Sequence, residues 1–80
     1  MNGDFRAAQR VYRELLRRDS NDPLGWLGLG GVALRLGDSL EFQRASEKLR
    51  SYSPNGAEVR QIRRHLAYYP EVWPRPSYEQ

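Results

Sequence analysis

Five arginines on one short amphipathic stretch (Arg6, Arg10, Arg13, Arg17 and Arg18), three glycines within four positions (Gly28, Gly30 and Gly31) and the lone imidazole of His65 are the side-chain chemistry this chain offers. Clustered guanidiniums attract phosphates and carboxylates. A glycine run cradles a phosphate when it follows a strand and opens a helix. No strand precedes Gly28, and the three glycines lie inside a helical stretch, so nucleotide binding is set aside. Their better use is close approach by a neighbouring helix, at a cost of about 1 kcal/mol each relative to alanine. Around the arginines, and around a second cluster of Arg60, Arg63, Arg64 and His65, Glu14, Glu47 and Glu58 interleave, and no aromatic residues alternate to stack on bases. Solvated helix faces account for both clusters, with an acidic protein partner as the next reading and a phosphate backbone behind it. Catalysis lacks candidates: there is one histidine, no cysteine, and the carboxylates are spread over helix caps and polar faces. One histidine without clustered carboxylates cannot complete a metal coordination shell. The expectation is a non-enzyme without cofactor or metal.

The elements that carry these residues are helices. From Gly3 to Arg18, apolar residues at Phe5, Ala8, Val11, Tyr12, Leu15 and Leu16 follow the 3,4 spacing of one helical face, with Arg6, Arg10, Arg13 and Arg17 opposite. Asp19 to Asp22 is a turn cluster, and Asp22 before Pro23 reads as an N-cap with proline at the first helical position. A second helix runs from there to about Leu36 and is stopped by Gly37. Asp38 and Glu41 form a capping box for a third, to about Tyr52, with Leu40, Phe42, Ala45 and Leu49 as its buried stripe. After Ser53-Pro54, Asn55 and Glu58 make another capping box for a fourth helix that buries Val59, Ile62, Leu66 and Tyr69 and turns Arg60, Arg63, Arg64 and His65 outward. The spans are about 4–18, 23–36, 39–52 and 56–68. Pro70, Pro74 and Pro76 then forbid a helix and leave a tail, 70–80, with Tyr68, Tyr69, Trp73 and Tyr78 around it. Trp73 has three readings: a lid over the apolar end, an occupant of the chain's own groove, or a segment that another protein recognises.

Eighty residues with 39% hydrophobic and 29% charged side chains make one domain, 1–69 plus its tail. A chain this short buries about 60 to 65% of its unfolded surface, so its core is modest. No apolar run approaches the roughly 18 residues of a membrane span, and with Met1 leading straight into the first helix the expectation is that no secretory signal is present. A cytoplasmic location is the expectation, or a periplasmic one if the chain is excised from a longer exported protein.

Gly3-Asp4 recurs as Gly37-Asp38, an offset of 34 residues. Laying 3–22 over 37–56 also matches Gln9 with Gln43, Arg10 with Arg44, Leu15 with Leu49 and Asn21 with Asn55. That period is the length of a tetratricopeptide unit. The run Asn21-Asp22-Pro23-Leu24-Gly25-Trp26-Leu27-Gly28-Leu29-Gly30 resembles the opening of such a repeat, with Trp26, Leu29 and Gly30 at its W-x-x-L-G positions. Gly37-Asp38 falls at the turn between the two helices of the unit and Pro54 at its close. Gly3, Phe5, Ala8, Tyr12 and Leu15 match the second-helix signature. Ser39, Phe42 and Ser46 depart from it in the next copy. Arg63 and Arg64 replace leucine and glycine in the fourth helix, as in a terminal capping helix.

The resemblance covers roughly 3–67 and implies an all-α fold: antiparallel helix-turn-helix repeats in a right-handed superhelix, the C-terminal end of an array, with four helices and an extended tail. It also implies a scaffold or adaptor that binds a protein or peptide in an apolar groove lined by the first helices of the units. The second helix is apolar on nearly every side and must be covered on every side. Trp26, Leu29, Gly30 and Ala33 pack inside the unit, which leaves Leu24, Leu27, Gly31, Leu34 and Arg35 as the groove. The lysine and asparagine with which some relatives grip a C-terminal carboxylate are replaced here by Leu27, Gly28 and Gly31. Arrays of this kind in bacteria often serve secretion, pilus or envelope assembly, a fold-level association alone. Two further readings stand beside it: a basic nucleic-acid-binding domain, and a homo-oligomerisation module using an apolar end.

Overall fold

Each helix start carries its own chemical reason. The computed structural model describes residues 4–73, so Gly3, Pro74, Pro76 and Tyr78 lie outside the described residues. Helix α1, Phe5–Arg18, begins where the Asp4 carboxylate accepts from the Ala7 N–H at 2.9 Å. Helix α2, Pro23–Leu36, begins at Asp22, whose side chain accepts from the N–H groups of Leu24 and Gly25 at 3.0 and 3.4 Å. It ends at Gly37, whose φ of 75° lets Asp38 N–H reach Ala33 O at 2.9 Å and Gly37 N–H reach Leu34 O at 3.3 Å. Helix α3, Ser39–Ser51, is capped by Asp38. Helix α4, Ala57–Tyr68, is followed by one 3-10 turn, Pro70–Val72. No strand occurs among the described residues, and the fold is all-helical.

Helix α2 is the core rather than one wall of it. Four of the six buried hydrophobic residues, Leu27, Leu29, Val32 and Ala33, belong to it; Ala45 and Tyr52 of the α3 region complete the set. Helices α1, α3 and α4 each pack against α2, and α3 and α4 do not pack against each other. The glycines set the distance to α1. Leu16 lies against Gly25, where a Cβ would come within 2.7 Å of its Cδ2, and the Tyr12 ring lies against Gly28, where a Cβ would overlap it. Toward α3, a Cβ on Gly30 would stand 3.0 Å from that of Ala45. Helix α2 is thereby covered around most of its circumference, with Leu34 and Arg35 left exposed.

Polar side chains tie the layers at both ends. Gln9, buried on α1, donates through Nε2 to Glu41 Oε1 of α3 at 2.7 Å, and Arg13 Nη2 donates to Glu41 Oε2 at 3.0 Å. At the other end Trp26 Nε1 donates to Ser20 O, and the Tyr52 hydroxyl donates to Asn21 O, both at 2.8 Å. The turn between α1 and α2 is thus held by one side chain from α2 and one from the end of α3. Burial pushes the Tyr52 phenol up to about 12, and the carboxylates of Glu58, Asp22 and Asp19 add to the shift.

Several local expectations are corrected. Glu41 does not close a capping box on Asp38; its carboxylate is engaged by Gln9 and Arg13, and only the Asp38 half of the motif forms, accepting from Glu41 N–H at 3.1 Å. Helix α4 is capped by Gly56 without a side-chain hydrogen bond, so Asn55 and Glu58 form no box; the Asn55 carbonyl instead accepts from Arg60 Nη1 at 2.8 Å. Leu40 is 59% exposed because it falls on the side of α3 away from α2. Tyr69 is exposed, whereas His65 is half-buried with its ring 5.0 Å from that of Tyr69.

Candidate functional site

Part of the surface of α2 expected to form a groove, at Gly31 and Arg35, is met by the chain's own segment Pro70–Trp73. Leu24, Leu27, Gly31, Leu34 and Arg35 fall three and four residues apart and so share one side of the helix. Leu27 is 3% exposed and Gly31 is buried; Leu24 is half-buried and borders α4 beside Gln61, His65 and Tyr68. Leu34 and Arg35 are exposed. The Val72 carbonyl lies directly over Gly31, in space that any Cβ would fill.

Arg35 holds this segment by its backbone. Its Nη1 donates to Val72 O at 3.1 Å and its Nη2 donates to Glu71 O, so one guanidinium engages two successive carbonyls. The same Nη1 also donates to Gly31 O of its own helix at 3.4 Å, and the Phe5 ring lies 5.8 Å below the guanidinium carbon. The fork is therefore braced from α1 and from α2 before it meets the segment. Backbone contacts of this kind are indifferent to side-chain identity, which leaves selection to the neighbouring residue.

That residue is Trp73. Its ring packs 5.3 Å from that of Phe42 at 31°, and a Cβ on Gly30 would come within 2.6 Å of its Cζ3. Gly30 and Phe42 thus open a slot on α2 beside α3, where a large aromatic ring buries apolar area. On the other side of the segment a cavity of about 340 Å³ remains, lined by Phe5, Ala8, Tyr12, Gly28, Val32 and Arg35 together with Glu71 and Val72. Its apolar walls and one braced cation suit an apolar side chain next to a carbonyl or carboxylate.

Sequence reasoning reached Arg35 and Gly31 but not Phe42, Gly30 or the carbonyls of Glu71 and Val72 as their counterparts. Backbone acceptors leave no mark in a sequence; the paired signal was Trp73 between prolines and a glycine on the facing helix. Among the described residues no three His, Asp or Glu side chains gather as a metal site would need, and no helix is long and apolar enough to cross a membrane. Comparison with known proteins finds no matching family model, no matching curated protein and no matching solved structure.

Proposed function

We propose that the chain is a protein-protein interaction module of tetratricopeptide-like design, without enzymatic activity, that binds a short extended peptide along α2. One observation carries this reading. Two of the five groove candidates, Gly31 and Arg35, meet the segment Pro70–Trp73: Arg35 binds two of its backbone carbonyls and Gly31 leaves room for one of them, while its aromatic ring lies on Gly30 and Phe42. A ligand of the same kind would present two carbonyls to Arg35 and an aromatic residue to the slot, displacing the tail. The tail is then an internal competitor that lowers the apparent affinity by the fraction of time it is docked.

The test uses the full chain carrying Trp73→Ala and a fluorescent peptide with the sequence of residues 69–74. Saturable binding in trans, weakened about tenfold or more when Arg35→Ala is added, supports the reading. No binding to the Trp73→Ala chain, or binding that Arg35→Ala leaves unchanged, sinks it. The nucleic-acid reading has less support: Arg13 pairs with Glu41, Arg17 and Arg18 share Glu14, and no aromatic residues alternate with the arginines to stack on bases.

A further inference from the structure

The outer side of α1 lacks the cover that the corresponding side of α3 has. With the offset of 34, Ala8, Val11 and Leu15 correspond to Phe42, Ala45 and Leu49. In α3 this stripe faces α2, and Ala45 is fully buried against it. In α1 Tyr12 and Leu16 enter the glycine hollows of α2, Ala8 borders the cavity over Gly28 and Val32, Leu15 is half-buried beside Gly25, and Val11, at the place of Ala45, is 59% exposed. A shallow cavity of about 530 Å³ runs along it between Ala7, Arg10, Val11, Glu14, Leu15 and Arg18. The spacing is that of a seat for one more helix, as the α2–α3 pair of the same chain demonstrates.

Charge decides what kind of helix fits. Helix α1 carries five arginines against one glutamate. That glutamate is held by Arg17 at 2.6 Å and Arg18 at 3.2 Å, which keep its carboxyl at about 2, well below the usual range. Arg6 and Arg10 have no carboxylate within ion-pair distance among the described residues. A second copy is a poor occupant: its α2 exposes only Leu34 and Arg35, and its α4 would bring exposed Arg60, Arg63 and Arg64 against the arginines of α1. Like charges in register disfavour that encounter and opposite charges steer the right one.

We propose that the Ala7–Val11–Leu15 side of α1 docks a foreign amphipathic helix whose apolar stripe is flanked by acidic residues. It is a second interaction surface, separate from the peptide seat on α2. The experiment displays an 18-residue helical library on the full chain, with the stripe randomised over Gly, Ala, Leu and Trp and the flanks fixed as Glu, Gln or Lys. Enrichment of Glu-flanked helices, lost about tenfold or more on Val11→Glu and restored for Lys-flanked helices by Arg6→Glu with Arg10→Glu, is the expected result. Val11 is exposed, so Val11→Glu leaves the melting temperature unchanged and a loss of binding is not a loss of fold. Enrichment of none of the three, enrichment indifferent to flank charge, or binding that Val11→Glu does not touch overturns the proposal. So does a concentration-dependent dimer in light scattering that Val11→Glu dissolves, because the occupant would then be a second copy.

Discussion

The junctions α1–α2 and α3–α4 stand at equivalent places in the 34-residue period, yet one is tightly packed and the other does not exist. Four positions account for the difference. In the first junction Tyr12 and Leu16 enter the hollows of Gly28 and Gly25. In the second the same positions hold Ser46 and Arg50 on α3 and Ile62 and Val59 on α4. The knobs have become a hydroxyl and a cation, and the hollows have become branched side chains that fill themselves. Helix α4 therefore settles on α2 alone, and Trp73 of the tail takes the slot that opens on α2 beside Phe42. The 34-residue offset places the helices; whether successive helices pack depends on a small residue facing a large one at each contact.

That contrast can be broken most severely at Gly28. Gly28→Leu would collide with the Tyr12 ring and is expected to cost about 3 kcal/mol in denaturant-induced unfolding, whereas Ile62→Leu, its counterpart, is expected to cost under about 1 kcal/mol. Trp73→Ala comes next. The ring is half-buried, so about 2 kcal/mol is expected by thermal unfolding, below the range for fully buried tryptophans, with hydrogen exchange rising in α4 before α1. A loss spread evenly over all helices would mean the tail supports the whole core rather than its open side.

Tyr52 sharpens the comparison at the α1–α2 turn. Its folded value of about 12 lies above the ordinary 10, so the phenol favours the folded state while protonated. Its contribution is complete below pH 10 and fades as pH rises from 10 through 12, by on the order of 2 kcal/mol. Stability measured across that window is expected to fall in the natural chain and to stay nearly flat in Tyr52→Phe, which at neutral pH loses about 1 kcal/mol with the bond to Asn21 O. The smallest effect is reserved for Leu40→Ser. Exposed on α3 and facing away from α2, it is expected to change stability by less than about 0.5 kcal/mol in the same assay.

Helix starts and stops were legible at Asp22 with Pro23, Gly37 and Asp38, which act within one turn of themselves and cap helices in the structure; the Asp4 cap of α1 passed unread, because the Gly3-Asp4 pair reads only as a repeat mark. The fourth start was misread because Asn55-Gly56 offers two candidates and only backbone geometry chooses between them. The central place of α2 followed from its lack of a polar side. The link from Gln9 through Glu41 to Arg13 did not, because a carboxylate three residues after an N-cap reads as a capping box unless a distant arginine is known to reach it. Of the candidate site, Gly31 and Arg35 were named from the helix alone. Their engagement with Glu71 and Val72 depends on a backbone path through prolines that no periodicity describes.

The absence of an α3–α4 contact also sets an order of events. Helices α1 and α3 touch α2 as its chain neighbours, so those pairings close loops of only a few residues and form quickly. Helix α4 must skip over α3 to reach α2, and the Pro70–Trp73 segment must return further still. A three-helix nucleus forming first, with α4 and the tail condensing on it together, is the folding route this topology favours. On a ribosome the same route means that the nascent chain holds its core before its last helix emerges.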